Sequence, residues 1–444
     1  METRRLALDY KILRLGFPIL IGQLGTIVVG FADTAMIGHH STPELASASF
    51  VNNLFNVAIF TMLGFSYGIT PLAGALFGKG KTDETGVMMR SALFVNILFG
   101  LLVSGVMLGF YFNLSRLGQP EELLPLMRPY FLIYLGGLMP LALFNSFAQW
   151  FYAINRTKMP MWIILISNIL NIIGNYLLIY GHSGFPEMGL TGAGLSTLVA
   201  RSFCALSIIG VFMLRKNYAG CRRGLISGRI TLADVKRINQ TSWPVALQMG
   251  FESGSFTVAA VFVGWLGALE LASYQVTVIL GTLGFCVYYS MGAATSIMVS
   301  NAAGNADRRL MRRTAYAGYR IILVLAACSS LVFLFCARPI LQLFTSDGAV
   351  IALSLSVIVP LVLYQLGDAT QITFANALRG TSRVMPMMWI SLFSYGVVGV
   401  PATYLLGIGC GMGLYGIVLS FSVSLFLAGI LFLHYFLRAT SVKV

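Results

Sequence analysis

The feature that most constrains this chain is a repeat: short strings recur along it at one fixed offset of 226 residues. Pro18 pairs with Pro244, Gly38 with Gly264, Leu45-Ala46-Ser47 with Leu271-Ala272-Ser273, Gly78 with Gly304, and Met159-Pro160-Met161 with Met385-Pro386-Met387. The register slips by two only near the end, where Met188-Gly189-Leu190 answers Met412-Gly413-Leu414. The chain is therefore two copies of one module. In a hydrophobic protein such duplication points to a secondary transporter, because two similar halves can rock against each other around a site at their interface.

Apolar residues make up 57% of the chain and charged ones 10%, far from the 45–50% and about 25% typical of soluble domains. A spanning helix needs about 20 mostly apolar residues, and twelve such stretches are expected, beginning near residues 12, 47, 89, 127, 160, 187, 239, 271, 317, 348, 386 and 410. The fold class is an all-α integral membrane protein with twelve transmembrane helices in two parallel six-helix repeats. Parallel follows from six being even, so that both halves enter the bilayer in the same sense. The expected organisation is an N-terminal lobe over residues 1–220, a cytoplasmic linker over 221–238 and a C-terminal lobe over 239–444.

A net charge of +14 raises nucleic acid as a partner, but the distribution argues against it. All but four of the 29 Lys and Arg fall in the two tails and the even-numbered connections, among them Arg4, Arg5, Lys79, Lys81, Arg156, Lys158, Arg308, Arg309, Arg312 and Arg379; the four exceptions are Arg116, Arg128, Arg338 and Arg201. Charges strewn through loops do not form a nucleic-acid face. That bias instead places both termini in the cytoplasm of a multi-pass inner (plasma) membrane protein. The first apolar stretch follows a basic segment as a signal peptide would, yet it is too long and belongs to the repeat, so a retained span is expected.

Several chemistries find no support. The six cysteines show no CxxC spacing, and His39, His40, His182 and His434 are scattered without ligand spacing. The string from Ala75 to Thr82 ends like a phosphate loop but has Ala where the first Gly belongs, and no strand precedes it. No nucleophile, base and orienter can be assembled from the spans, so enzymatic function is not expected. A ring-like channel filter suits unequal halves poorly.

An ionisable group inside a span costs roughly 2.5–3.5 kcal/mol on insertion scales and so counts as a functional hypothesis. Three acids stand there: Asp33, Glu252 and Asp368. The 226-residue shift matches them with Ala259, Thr26 and Ala142, so none is repeated. An acid required by the fold would be expected twice; chemical asymmetry on a symmetric scaffold favours a working role. Helical spacing puts Gln248, Glu252 and Ser255 on one face and Tyr364 with Asp368 on another, together a candidate oxygen-rich cation cage with Gln275 as a further partner. In the first half Asn168, Asn171 and Asn175 share a face, with Thr197 available from the next span. Pro18 and Pro244 each remove a helix hydrogen bond early in their spans and mark either a static kink or a hinge.

The runs "FADTAMIG", "NIIGNYLLIYG", "MGLTGAGLST", "WPVALQMGFESGSF" and "LYQLGDATQITFANALRGT" together resemble the MATE (multidrug and toxic compound extrusion) transporters, in particular the bacterial NorM-like branch, over nearly the whole chain. The resemblance implies efflux of amphipathic organic cations in exchange for sodium or protons by alternating access of two lobes. It makes Glu252, Tyr364 and Asp368 the second-lobe cation site, with Glu252 and Asp368 the candidate sodium ligands, and Asp33, Asn171, Asn175 and Thr197 the first-lobe cation or substrate site. No other cofactor is expected, and a monomer is. Two positions depart from the family pattern: Asn175, where some relatives carry an acid, and Arg201, a positive charge four residues after Thr197. Arg201 and Asp33 are expected to couple electrostatically, since each is expensive alone in a membrane. The alternative is a lipid-linked saccharide flippase of the same broad superfamily, which would favour several basic residues inside the spans.

Overall fold

The computed structural model describes residues 2–117, 120–343, 345 and 347–441, with side chains from residue 6 onward. The Arg4 and Arg5 side chains, counted above among the tail charges, lie outside the described residues. Among the described residues, eleven helices are long and apolar enough to cross a membrane, and a twelfth span comes from a bent pair. In the first half the spans are Leu6–His40, Thr42–Gly78, Glu84–Phe112, Glu121–Ala153, Lys158–Ile179 and Gly189–Leu214. In the second they are Leu232–Leu266, Ala268–Gly304, Arg308–Gln342, the pair Gly348–Ser356 and Ile358–Gly380, Met385–Gly409, and Gly413–Ala439. The twelve expected stretches thus each correspond to a helical span.

The tenth span breaks by 52° at Val357. Pro360 explains the position: its ring clashes with the carbonyl four residues back, at Ser356, where the first helix ends. The eleventh span is wound loosely as π-helix over Leu392–Gly399 and Leu405–Gly409. Pro401, between the two stretches, has no N–H to give to the regular ladder.

The chain forms two compact units, Ile21–Ala246 and Met1–Leu20 with Leu247–Val444. These differ from the expected lobes 1–220 and 239–444, because the opening segment of each half packs on elements of the other half. Ile12 joins a core cluster with Tyr288, Met291 and Ala317, and a Cβ on Gly16 would stand 2.7 Å from the Met291 sulfur. Asp9 accepts two hydrogen bonds from Arg320, the shorter at 2.9 Å. In the Ile21–Ala246 unit, Trp243 packs edge-on to Phe65 and Phe99 at 5.6 and 5.1 Å. A Cβ on Gly68 would sit 2.8 Å from the Ser242 backbone, so only glycine permits this approach. Both crossover points fall two residues after a proline, Pro18 and Pro244.

The stretch expected as a linker is an ordered part of the Ile21–Ala246 unit. A short helix, Ala219–Ser227, buries Cys221 against Thr85. Arg90 donates to the carbonyls of Leu225 and Ile226, supplying donors to the otherwise unsatisfied C-terminal turn. Thr85 in turn accepts from the Trp150 indole at 3.0 Å, inside an aromatic core of Trp150, Phe151, Phe212 and Tyr218.

Candidate functional site

In the unit Ile21–Ala246, three spans build a polar chain. Asp33 lies on the first span, Asn171 and Asn175 one turn apart on the fifth, and Thr197 on the sixth. Asn175 Nδ2 donates to Asp33 Oδ1 at 2.5 Å and lies 3.5 Å from Asn171 Oδ1; Asn171 Nδ2 donates to Thr197 Oγ1 at 3.3 Å. The Asn175 side-chain oxygen is buried without a hydrogen-bond partner. Each sequence-selected residue of this group is therefore part of one connected row. Asn168 stands apart from it, its amide nitrogen unpartnered against Gly25.

Arg201 is within electrostatic reach of Asp33, but among the described residues no ion pair joins them. Its guanidinium instead lies 4.3 Å from the ring centre of Tyr134, a cation–π arrangement worth about 2 kcal/mol or more where water is excluded. Tyr134 is itself positioned by Tyr130, whose hydroxyl donates to Asn52 at 3.0 Å. At the same end of the first span, His40 bridges Glu44 at 2.7 Å and Glu187 at 3.0 Å. Both ring nitrogens face carboxylates, which only accept, so the ring in this arrangement carries both protons.

In the other unit, the seventh and tenth spans carry the acids. Glu252 Oε2 accepts from Gln248 Nε2 at 2.9 Å and from Gln371 Nε2 at 3.4 Å. Asp368 is 1% exposed, and its Oδ2 has no hydrogen-bond partner. The two carboxylates are within electrostatic reach of one another, as is the Tyr364 phenol of both. The Tyr364 ring packs against Phe256 and Phe421, each at 6.4 Å between ring centres, and over Gly281.

Two sequence-selected partners are placed elsewhere. The Ser255 hydroxyl donates to the Glu252 backbone carbonyl at 2.8 Å, so it hydrogen-bonds its own helix and not the acid's carboxylate. Gln275 is exposed, and among the described residues no hydrogen bond links it to either acid.

Three residues were missed. Gln371 lies one turn beyond Asp368, and Tyr395, fully buried on the eleventh span, is within electrostatic reach of Glu252, Asp368 and Tyr364. Arg379, read from the sequence as a loop charge, is 5% exposed; its Nη1 donates to Asn376 Oδ1 at 3.2 Å and its Nη2 to Gln248 Oε1 at 3.4 Å. The signal was available: Asp368, Gln371 and Arg379 sit at i, i+3 and i+11, one face of a helix.

The MatE family model matches the chain twice, over residues 18–177 and 244–405. The chain belongs to the MatE family. The two matches begin 226 residues apart, the same offset as the internal repeat. Among curated MatE-like relatives, the probable multidrug resistance protein NorM of Geobacillus kaustophilus is 28% identical over 97% of this chain and 94% of its own length. The multidrug resistance protein PmpM of Pseudomonas aeruginosa is 31% identical over 90% of this chain and 84% of its own length. The outward-facing structure of a multidrug resistance MATE family transporter of the MOP superfamily superposes with a TM-score of 0.88 at 18% identity, covering 98% of this chain and 97% of that one. At that identity the likeness concerns the fold, a MatE arrangement of twelve helices in two lobes.

Proposed function

We propose that this protein is a secondary antiporter that exports amphipathic organic cations in exchange for sodium or protons. The observation that carries the reading is the unpartnered Asp368 oxygen beside Glu252 and Tyr364, deep in one unit. Leaving a buried polar group unsatisfied costs about 1–3 kcal/mol, and more when it is charged. A fold that keeps this arrangement has a use for an incoming ion: a proton or a sodium ion would satisfy the acid pair. Two carboxylates and a phenol offer oxygen ligands suited to hard sodium. The relatives' names support small organic drugs as cargo.

Glu252, Asp368 and Tyr364 serve cation coupling in the second lobe, with Gln248 and Gln371 orienting Glu252. Asp33, Asn171, Asn175 and Thr197 serve as the first-lobe cation or substrate site. The Lys and Arg asymmetry supports a plasma-membrane protein with both termini in the cytoplasm. A lipid-linked saccharide flippase is disfavoured, because the acids outnumber the basic groups buried beside them and would repel anionic headgroups.

The test is reconstitution in proteoliposomes loaded with ethidium. A sodium gradient or a pH gradient imposed alone should drive export without ATP, and the productive gradient names the coupling ion. Export that requires ATP while both gradients are clamped at zero would refute the antiporter.

A further inference from the structure

The second-lobe site contains a positive charge of its own. Arg379 is buried, Gln248 spans the gap from its guanidinium to the Glu252 carboxylate through opposite ends of one amide, and Arg379 and Glu252 are within electrostatic reach. Because Arg only donates, it fixes which end of the Gln248 amide faces it and leaves the NH₂ for Glu252. Unlike Lys, it keeps its proton on burial. The site therefore holds two acids that can each be negative and one cation that is permanent.

We propose that Arg379 acts as a built-in counter-ion that sets the coupling demand of the Glu252 and Asp368 site at one monovalent cation per cycle; this rests on those acids being the coupling site. Charge balance sets this demand. An uncompensated charge in an apolar interior is expensive, so the loaded site is driven to neutrality before its surroundings rearrange. With two carboxylates and one guanidinium, neutrality takes one added positive charge, not two. One cation entering for each singly charged organic cation leaving moves no net charge across the membrane.

The experiment follows ethidium export from proteoliposomes under a fixed gradient of the coupling ion, while potassium and valinomycin set the membrane potential. Wild type should export at rates independent of potential. Arg379→Gln leaves two uncompensated acids and should take a second cation. Its export should then accelerate when the lumen is negative, with the tens-fold change in accumulation that one elementary charge allows. Asp368→Asn supplies the opposite arm: Glu252 and Arg379 already balance, no cation need enter, and any remaining ethidium flux should be slowed by a negative lumen.

Arg379→Gln export as independent of potential as wild type overturns the proposal, as does a potential dependence shared equally by all variants. If size-exclusion chromatography shows Arg379→Gln to be misfolded, the Asp368→Asn arm decides. Wild type that fails to export ethidium under any ion gradient would instead sink the antiporter reading itself.

Discussion

The two units share an ancestral repeat yet balance their buried charges in different ways. In the Ile21–Ala246 unit a single acid, Asp33, is paired with an amide, and the nearby guanidinium of Arg201 rests on Tyr134. In the other unit two acids lie within electrostatic reach of one another, one held by Gln248 and Gln371 and the other with a buried oxygen that has no hydrogen-bond partner. The equivalents of Glu252 and Asp368 in the first half are Thr26 and Ala142, so the first-lobe site cannot form the same pair. Among the described residues, the second unit alone brings two buried acids within electrostatic reach of one another. The lesson is that duplication supplied the scaffold, while the buried acids and their partners diverged on top of it.

The comparison breaks most directly at the acid pair. Glu252→Gln and Asp368→Asn should each reduce ion-coupled ethidium efflux at least a hundredfold, because the ion's charge partner is lost. Asp368→Asn should leave thermal stability unchanged or raised, since it removes a buried charge that has no hydrogen-bond partner on one oxygen. Efflux in proteoliposomes and a melting curve on the purified protein check both halves of the statement. Full coupled efflux in the double variant would move the coupling site to Asp33.

The next test makes the two sites more alike. Asn175→Asp would place a second carboxylate against Asp33, at a contact that is now an amide donating at 2.5 Å. Two like charges at that separation are unfavourable without a cation. The variant should lose about 2 kcal/mol of stability in sodium-free buffer and recover part of it as sodium is titrated in, by mass action on the folded state. A melting temperature that sodium does not move would show that the first-lobe row cannot be converted to a sodium site.

A smaller effect is expected at the cation–π contact. Tyr134→Leu removes the ring under Arg201, whose Nη1 already lacks a hydrogen-bond partner, and should cost about 1–2 kcal/mol. Tyr134→Phe keeps the ring face and should cost little. Equal losses in the two variants would assign the effect to the hydroxyl.

Much of this was legible in the sequence, for identifiable reasons. The repeat and the apolar runs are one-dimensional signals, and they specify twelve spans with paired prolines directly. Asp33, Glu252 and Asp368 stood out because a charge in an apolar run is costly wherever it points. The partners were harder. Helical spacing puts Ser255 on the face of Glu252, but a serine can donate to its own helix carbonyl, and this one does. Gln275 was chosen for its chemistry alone, with no spacing to place it. Arg379 was lost because a basic residue four positions before Arg383 near a span end reads as a snorkelling loop charge, and only packing against Gln248 of another span shows it buried. The swapped opening segments were invisible for the same reason: sequence similarity marks where a repeat begins, whereas the compact units are decided by which side chains, such as Ile12 and Trp243, find their packing across the repeat boundary.

The smallest expected effect lies at the end of the first span, where the first-lobe site has a feature that the second half does not repeat: position 40 is His and its mate at 266 is Leu. His40 ties Glu44, at the start of the second span, to Glu187, just ahead of the sixth. Glu187 is 66% exposed while Glu44 is 13% exposed, so the two bonds should differ in worth. Exposed ion pairs typically contribute about 0.2–1 kcal/mol, and salt screens them. A double-mutant cycle of His40→Ala with Glu187→Ala should therefore return a coupling near 0.5 kcal/mol that fades at high salt. The cycle with Glu44→Ala should return about twice that and resist salt, because a half-buried pair is screened less. The two cycles coming out equal and equally salt-sensitive would mean that the bridge is a surface contact throughout, and that the Asp33-bearing span is held at this end by its other contacts, among them the Tyr180 hydroxyl, which donates to the Met36 carbonyl at 2.8 Å.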